Sequence, residues 1–330
     1  MHAAVIYAYG EPPRLGQLPD PTPGLGTALV RVDAAVINQF DLNVASGQFH
    51  TGAPTLPYIP GIEGAGVVVQ SDTFPSGARV RFDADAGYSE QGSFAELAVV
   101  EDDALYPIPD PVSSHAALAI GNSGLTAYLA LEQVAQLAPD ETVVVLGATG
   151  VAGQYAVQAA RVLGAGRVVA AGRNDQVLQS MLRVGAHATV NLATTPTHEL
   201  TDAIREAANG NVDVIFDSLW GDAALAAMRA AAAGARLVQI GDALAPTAQI
   251  PSRILRGKRL SILGYANRQV PRPIRKRAYE ILLSHAAAGD IIASYELLPF
   301  DQVSDVWSWQ QRGVRTRLVL AWRHDSHNSA

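Results

Sequence analysis

The chain has 330 residues, of which 48% are hydrophobic and 17% charged; 24 Lys and Arg stand against 31 Asp and Glu, for a formal net charge of −7, and there is no cysteine. This composition predicts a globular protein of one or two domains and excludes a disordered chain. The acidic balance argues against nucleic acid or an anionic membrane surface as partner, and the lack of cysteine excludes disulfides, thiolate-held metals and a thiol nucleophile.

The opening "MHAAVIYAYGEPP" lacks a basic region followed by a long apolar run, so no signal peptide is expected. No uninterrupted apolar stretch approaches the roughly 18 residues of a membrane span, which makes the cytoplasm the expected location. Up to about residue 115 the chain reads as short β-type runs separated by Gly and Pro turns: "LVRVDAAVIN", "GAGVVVQ", "ARVRF" and "FAELAVV". Beyond that point strands and helices alternate. Val143–Leu146 predicts a buried strand, Gly153–Leu163 a helix, and Val168–Ala171 a second strand. Asp175–Val184 predicts a helix capped by Asn174 or Asp175, followed by a short strand at Thr189–Asn191. Thr197–Ala207 predicts a helix with Leu200, Ile204 and Ala207 on one face. Strands at Val212–Phe216 and Leu237–Ile240 flank a helix at Asp222–Ala231. This order is that of an α/β, doubly wound parallel sheet. From about Tyr265 a helix at Ile274–Ala288 and a last strand at Arg317–Ala321 are expected, and the tail "RHDSHNSA" reads as frayed.

Ala148-Thr149-Gly150-Val151-Ala152-Gly153 has the A-x-G-x-x-G form of a dinucleotide fingerprint, between a strand and a helix. Gly150 would let the backbone approach a pyrophosphate, Gly153 would bring helix and strand together, and the helix N-terminus would offer amides to the anion. The second strand ends in Gly172-Arg173-Asn174 rather than in the carboxylate that accepts from a ribose 2′-hydroxyl. A guanidinium there suits a 2′-phosphate, so NADPH is the expected cofactor. The competing reading leaves Arg173 solvating a strand end.

Several motifs together resemble the zinc-free quinone oxidoreductase (zeta-crystallin-like) branch of the medium-chain dehydrogenase/reductases. They are "VINQFDLNVASGQF" (36–49), "LPYIPGIEGAGVVV" (56–69), "QGSFAELAVV" (91–100), "LTAYLAL" (125–131), the fingerprint, and "GARLVQIG" (234–241), which closes on Gly241. The resemblance implies a GroES-like β-barrel catalytic domain, residues 1–118 completed by 266–330, with a Rossmann domain over 119–265. It also implies a homodimer or homotetramer. Zinc-dependent relatives place a Cys, a His-Glu pair and a second Cys where this chain has Asn38, Ile62-Glu63 and Asn122. Those residues do not supply the roughly four N, S or O ligands of a zinc site, so no metal is expected.

Hydride transfer to a quinone or an α,β-unsaturated carbonyl fits such a site, because the charge moves to an oxygen that one donor can hold. Asn38 and Asp41 are the candidate catalytic residues, Asn38 as that donor or beside the nicotinamide, Asp41 as the group orienting its loop; turn and helix capping are their competing readings. Asn122 and Thr126 are expected to face the cofactor. Asn43, Phe49 and Ile62 are expected near the substrate. Bacterial quinone reductases carry tyrosines at the positions of Asn43, Phe49 and Leu192, so an enone fits as well as a quinone. Tyr58, Tyr88 and Trp220 read as packing or as pocket wall, and His50 as a surface histidine or a proton relay. The alternative function is a non-catalytic NADPH-binding member of the same family.

Overall fold

The computed structural model describes residues 1–49, 52–314 and 316–322. His50 and the tail 323–330 lie outside them. In chain order, strands at His2–Val5 (β1), Arg14–Gln17 (β2) and Thr27–Val36 (β3) lead to a short helix, Gln39–Ala45 (α1). Strands follow at Glu63–Gln70 (β4), Arg79–Asp83 (β5), Leu97–Glu101 (β6) and Leu105–Pro107 (β7). A helix at Ser114–Leu129 (α2) is broken at Gly121, where φ is 17° and ψ −131°.

Strands and helices then alternate: Thr142–Leu146 (β8), Val151–Val162 (α3), Arg167–Gly172 (β9), Asp175–Val184 (α4), Ala188–Asn191 (β10), Leu200–Ala207 (α5), Val212–Asp217 (β11), Gly221–Ala230 (α6) and Ala231–Gln239 (β12). Ser252–Lys258 (α7), Ser261–Gly264 (β13) and Arg272–Ala288 (α8) continue the chain, and Tyr295–Pro299 (β14), Val303–Gln311 (α9) and Arg317–Ala321 (β15) close it.

Two compact units result, one formed by Met1–Gly121 with the chain from Ala293 onward, the other by Asn122–Ile292. The contact divisions fall at 121/122 and 292/293, beside the 118/119 and 265/266 implied by the resemblance; the second lies later because α8 packs with the second unit.

In the first unit the main sheet runs β14-β15-β3-β4-β5-β7, with β6 also on β3. All its pairings are antiparallel except β14 with β15. Alternating small and branched residues of β3, from Ala28 to Val36, fill its interior. Phe94, Phe300 and Trp307 form a second buried cluster, with ring centroids 5.8 and 6.2 Å from Phe94 in edge-to-face geometry.

The second unit is a parallel sheet in the order β10-β9-β8-β11-β12-β13. Its inner strands β8, β9 and β11 are buried over almost their whole length, whereas the edge strand β13 is largely exposed. The order reverses between β8 and β11, the place where open α/β sheets bind ligands at the carboxyl ends of their strands.

Most differences from the sequence reading lie at element ends. α3 begins two residues early because Gly150, extended at φ −87° and ψ 165°, is its N-cap. α5 begins at Leu200 because Pro196 first sets a turn, closed by the Glu199 amide on the Pro196 carbonyl. β12 reaches back to Ala231, which pairs with Val212 before a register shift brings Arg236 opposite Val214.

Candidate active site

In the second unit, the candidate nucleotide-binding residues sit on the β8–α3 turn. Gly147 has φ +87°, and a Cβ there would lie 2.1 Å from Ser218 Oγ, so both its backbone and its surroundings demand glycine. The Ala148 amide bonds the Ala171 carbonyl at 2.9 Å and ties the turn to β9. The two fingerprint glycines then divide their work. A Cβ on Gly153 would sit 2.1 Å from the Gly147 carbonyl, whereas one on Gly150 would meet only that oxygen, at 3.4 Å. Gly153 is therefore needed for packing, and Gly150 leaves an open cradle at the mouth of α3. Val151, Ala152 and Gly153 form the first helical turn, whose amides have no acceptor inside the helix. That arrangement fits a pyrophosphate.

Thr149 fits over Gly172, where a Cβ would lie 2.5 Å from its methyl group. Arg173 is exposed at the end of β9. Asn174 caps α4, its Oδ1 accepting from the Val177 amide at 2.9 Å, so its oxygen serves the helix rather than a ligand. Gly241 approaches the Ser218 carbonyl, and its own carbonyl accepts from Gln239 Nε2 at 2.9 Å. Asn122 Oδ1 accepts from Asn267 Nδ2 at 2.5 Å, and Asn267 in turn accepts from the Tyr265 hydroxyl at 3.0 Å. The oxygen of Asn122 is thus held by its own unit. Thr126 is half-buried on α2. Trp220 packs on the hydrophobic core of this unit, with φ +62°, a conformation held by Asp217 Oδ1 accepting from the Leu219 and Trp220 amides at 2.9 and 3.0 Å.

The first unit carries a buried polar cluster of its own. Glu63 is fully buried on β4. Its Oε2 accepts from Arg81 Nε at 3.1 Å and from Nη2 at 2.8 Å. Its Oε1 accepts from Asn38 Nδ2 at 3.1 Å and from Arg317 Nη2. Arg317 Nη2 also donates to Asn38 Oδ1, at 3.0 Å. Arg81 continues to Asp83 at 2.6 Å and lies 4.7 Å above the Tyr106 ring, whose hydroxyl reaches the other Asp83 oxygen at 2.7 Å. Gly121 closes against this group, since a Cβ there would be 2.5 Å from Glu63 Oε2.

Asp41 stands beside the cluster. One oxygen accepts from the Asn38 amide at 2.7 Å, the other from the Ile62 amide at 2.9 Å. Burial pushes its pKa up to about 6 against the pull of those two bonds, with Glu63 raising it further and Arg317 lowering it. With both oxygens engaged, Asp41 joins the start of α1 to the Ile62 loop. The Asn38 carboxamide is held on two sides. Its oxygen and one N–H are committed, and its second N–H is the one without a partner among the described residues.

These positions do not suit zinc. Both Glu63 oxygens are taken by guanidinium groups, the Asn38 amide is tied to Glu63 and Arg317, and Ile62 has no donor side chain. Among the described residues no group of three or more His, Asp or Glu could hold a metal ion.

Of the residues assigned to the substrate, Ile62 is buried and offers its backbone to Asp41 and Ala84. Phe49 stacks edge-on against Phe40 at 5.1 Å. Asn43 is exposed on α1 and accepts from Gln39 Nε2 at 3.1 Å. Tyr58 is buried in the core, and Tyr88 is partly exposed with its hydroxyl on the Gly52 carbonyl at 3.0 Å. The sequence reading missed Arg81 and Arg317. The signal was weak: Arg81 alternates with the apolar Val80 and Phe82 in β5, and Arg317 opens the apolar run of β15, where burial would force a charge into a pair.

Residues 24–110 match the alcohol dehydrogenase GroES-like domain, and residues 150–284 match the zinc-binding dehydrogenase domain. The chain is 32% identical over 243 residues to quinone oxidoreductase-like protein 2 of Mus musculus, covering 73% of this chain and 68% of that protein. It is 30% identical over 292 residues to prostaglandin reductase-3 of Mus musculus, covering 84% and 74%. The quinone oxidoreductase of Thermus thermophilus, solved also in complex with NADPH, superposes with a TM-score of 0.76 at 30% identity, over 97% of this chain and all of that one. On this agreement of fold, glycine loop and sequence, the chain is an oxidoreductase of the medium-chain dehydrogenase/reductase superfamily and belongs to its quinone oxidoreductase branch.

Proposed function

We propose that the protein is an NADPH-dependent, zinc-independent reductase of a small electrophilic substrate, a quinone or an α,β-unsaturated carbonyl. The observation that carries this reading is the Arg317 guanidinium bonded to Asn38 and Glu63, positions that would otherwise hold the metal. Without a Lewis acid to stabilise an alkoxide, an unactivated alcohol is a poor substrate. A conjugated acceptor needs only alignment and a donor for the oxygen that gains charge. When bound, NADPH would supply the hydride; the first-turn amides of α3 would hold its pyrophosphate, and Arg173 would pair with its 2′-phosphate. The second N–H of Asn38 donates to the acceptor oxygen, while Asp41 keeps that residue at the head of α1.

A non-catalytic NADPH-binding role has one feature in its favour: Asn43, Phe49 and Leu192 stand where bacterial quinone reductases carry tyrosines. Steady-state assays with a para-quinone, an enone and, in reverse, a secondary alcohol with NADP separate the readings. Turnover of the first two without the third is expected. Tight NADPH binding with no turnover of any acceptor would establish the non-catalytic role instead.

For assembly we propose a homodimer or homotetramer. It is supported by β13, the edge of the parallel sheet, on which Ile262 is exposed. A monomer by light scattering at micromolar concentration would remove this part.

A further inference from the structure

Arg317 lies 279 residues beyond Asn38 in sequence, yet the two form a closed ring with Glu63. Arg317 Nη2 donates to Asn38 Oδ1 and to Glu63 Oε1, and Asn38 Nδ2 donates to the same Glu63 oxygen. All three side chains are buried, Asn38 and Arg317 being 5% exposed and Glu63 0%.

A carboxamide has two ends of similar shape and opposite polarity. Here a cation faces the oxygen and a carboxylate faces the nitrogen. Turning the amide over would set its NH2 against a guanidinium and its oxygen against a carboxylate, two repulsions in place of two charge-assisted bonds. Glu63 cannot yield by swinging away, because Arg81 holds its other oxygen with two nitrogens and Gly121 closes over it. The ring therefore leaves Asn38 one orientation and its second N–H one direction.

We propose that Arg317 is a positioning residue for hydride transfer. Together with Glu63 it locks the Asn38 carboxamide so that the second N–H meets the acceptor oxygen. The proposal rests on the reading of Asn38 as that donor. It assigns Arg317 no contact with substrate or cofactor.

A double-mutant cycle tests it. Arg317→Gln and Arg317→Lys are each made in the wild-type and the Asn38→Ala background. NADPH dissociation constants are measured alongside kcat for one quinone and one enone. Asn38→Ala is expected to lower kcat at least tenfold. Arg317→Gln should lower it by a similar factor with NADPH affinity within about twofold of wild type, and should cost less than about threefold once Asn38 is gone. Arg317→Lys keeps the charge but not the planar fork. It should lose about threefold in the wild-type background and nothing in Asn38→Ala, which keeps the test open if the Gln variant does not fold. An equal loss from either Arg317 variant in both backgrounds overturns the proposal, as does a lysine variant with wild-type kcat. Full activity of Asn38→Ala would instead fail the underlying reading of Asn38, a result distinct from either.

Discussion

At the scale of single residues, the two fingerprint glycines should respond differently to the same change. Gly150→Val places its side chain in open space at an extended backbone position, so the protein should fold and lose NADPH binding. Gly153→Val must displace the Gly147 carbonyl and should destabilise the fold by about 1–3 kcal/mol or more. Calorimetry and thermal unfolding read the two effects; wild-type NADPH affinity in Gly150→Val would remove it from the cofactor site. Arg173→Ala should reduce the preference for NADPH over NADH roughly tenfold or more, the value of a charge-assisted bidentate contact. An unchanged ratio of kcat/KM values would leave Arg173 as a surface charge.

Asp217 offers a pH test. It is fully buried and its pKa is raised from 3.8 to about 6, mainly by burial and against two amide bonds. A carboxyl with a raised folded pKa contributes stability that is fully present below about pH 4 and is lost as pH rises through about 6. Asp217→Asn keeps the Oδ1 acceptor for Leu219 and Trp220 and does not titrate. Its melting temperature relative to wild type should therefore rise across that window, and a difference independent of pH would contradict the assignment. The glycine turn between β8 and α3 was legible because it belongs to a local pattern. The ring of Asn38, Glu63 and Arg317 was not, because Glu63 and Arg317 are 254 residues apart and only the fold joins them.

Among the secondary elements, the parallel sheet was the readable part. Val143–Leu146 and Val168–Ala171 are apolar runs each followed by glycine, and Leu200 and Ile204 are buried on α5 as their spacing requires. The first unit was less readable. β1 and β2 have four residues each, too few to show a period, and α1 has seven. α9 did carry a signal, since Val303, Val306 and Trp307 are buried at helical spacing, but it lies among polar residues that mask it. The break in α2 is the element most exposed to a test. Gly121→Ala would put a methyl 2.5 Å from Glu63 Oε2 and 3.2 Å from Arg81 Nε, both immobile. A loss of about 1–3 kcal/mol is expected by denaturant titration, with kcat lowered through Asn38. A variant as stable and active as wild type would show that the Glu63 cluster tolerates movement.

Taken as a whole molecule, the chain pairs a nucleotide-binding sheet with a β domain whose buried polar centre is a guanidinium cluster rather than a set of metal donors. No described helix is long and apolar enough to cross a membrane. Purified protein is expected to carry no stoichiometric zinc and to keep its activity in chelator. About one zinc per chain by elemental analysis would overturn the donor argument. The fate of the hydride tests the proposed chemistry most directly. Protein stripped of metal is incubated with NADPH deuterated at the transferable position and a simple enone, and the product is examined by mass spectrometry and NMR. Conjugate reduction predicts a saturated carbonyl with one deuterium on the β-carbon, formed in amounts equal to the NADPH consumed. Deuterium on the carbonyl carbon of an allylic alcohol, or no transfer without added zinc, would contradict it.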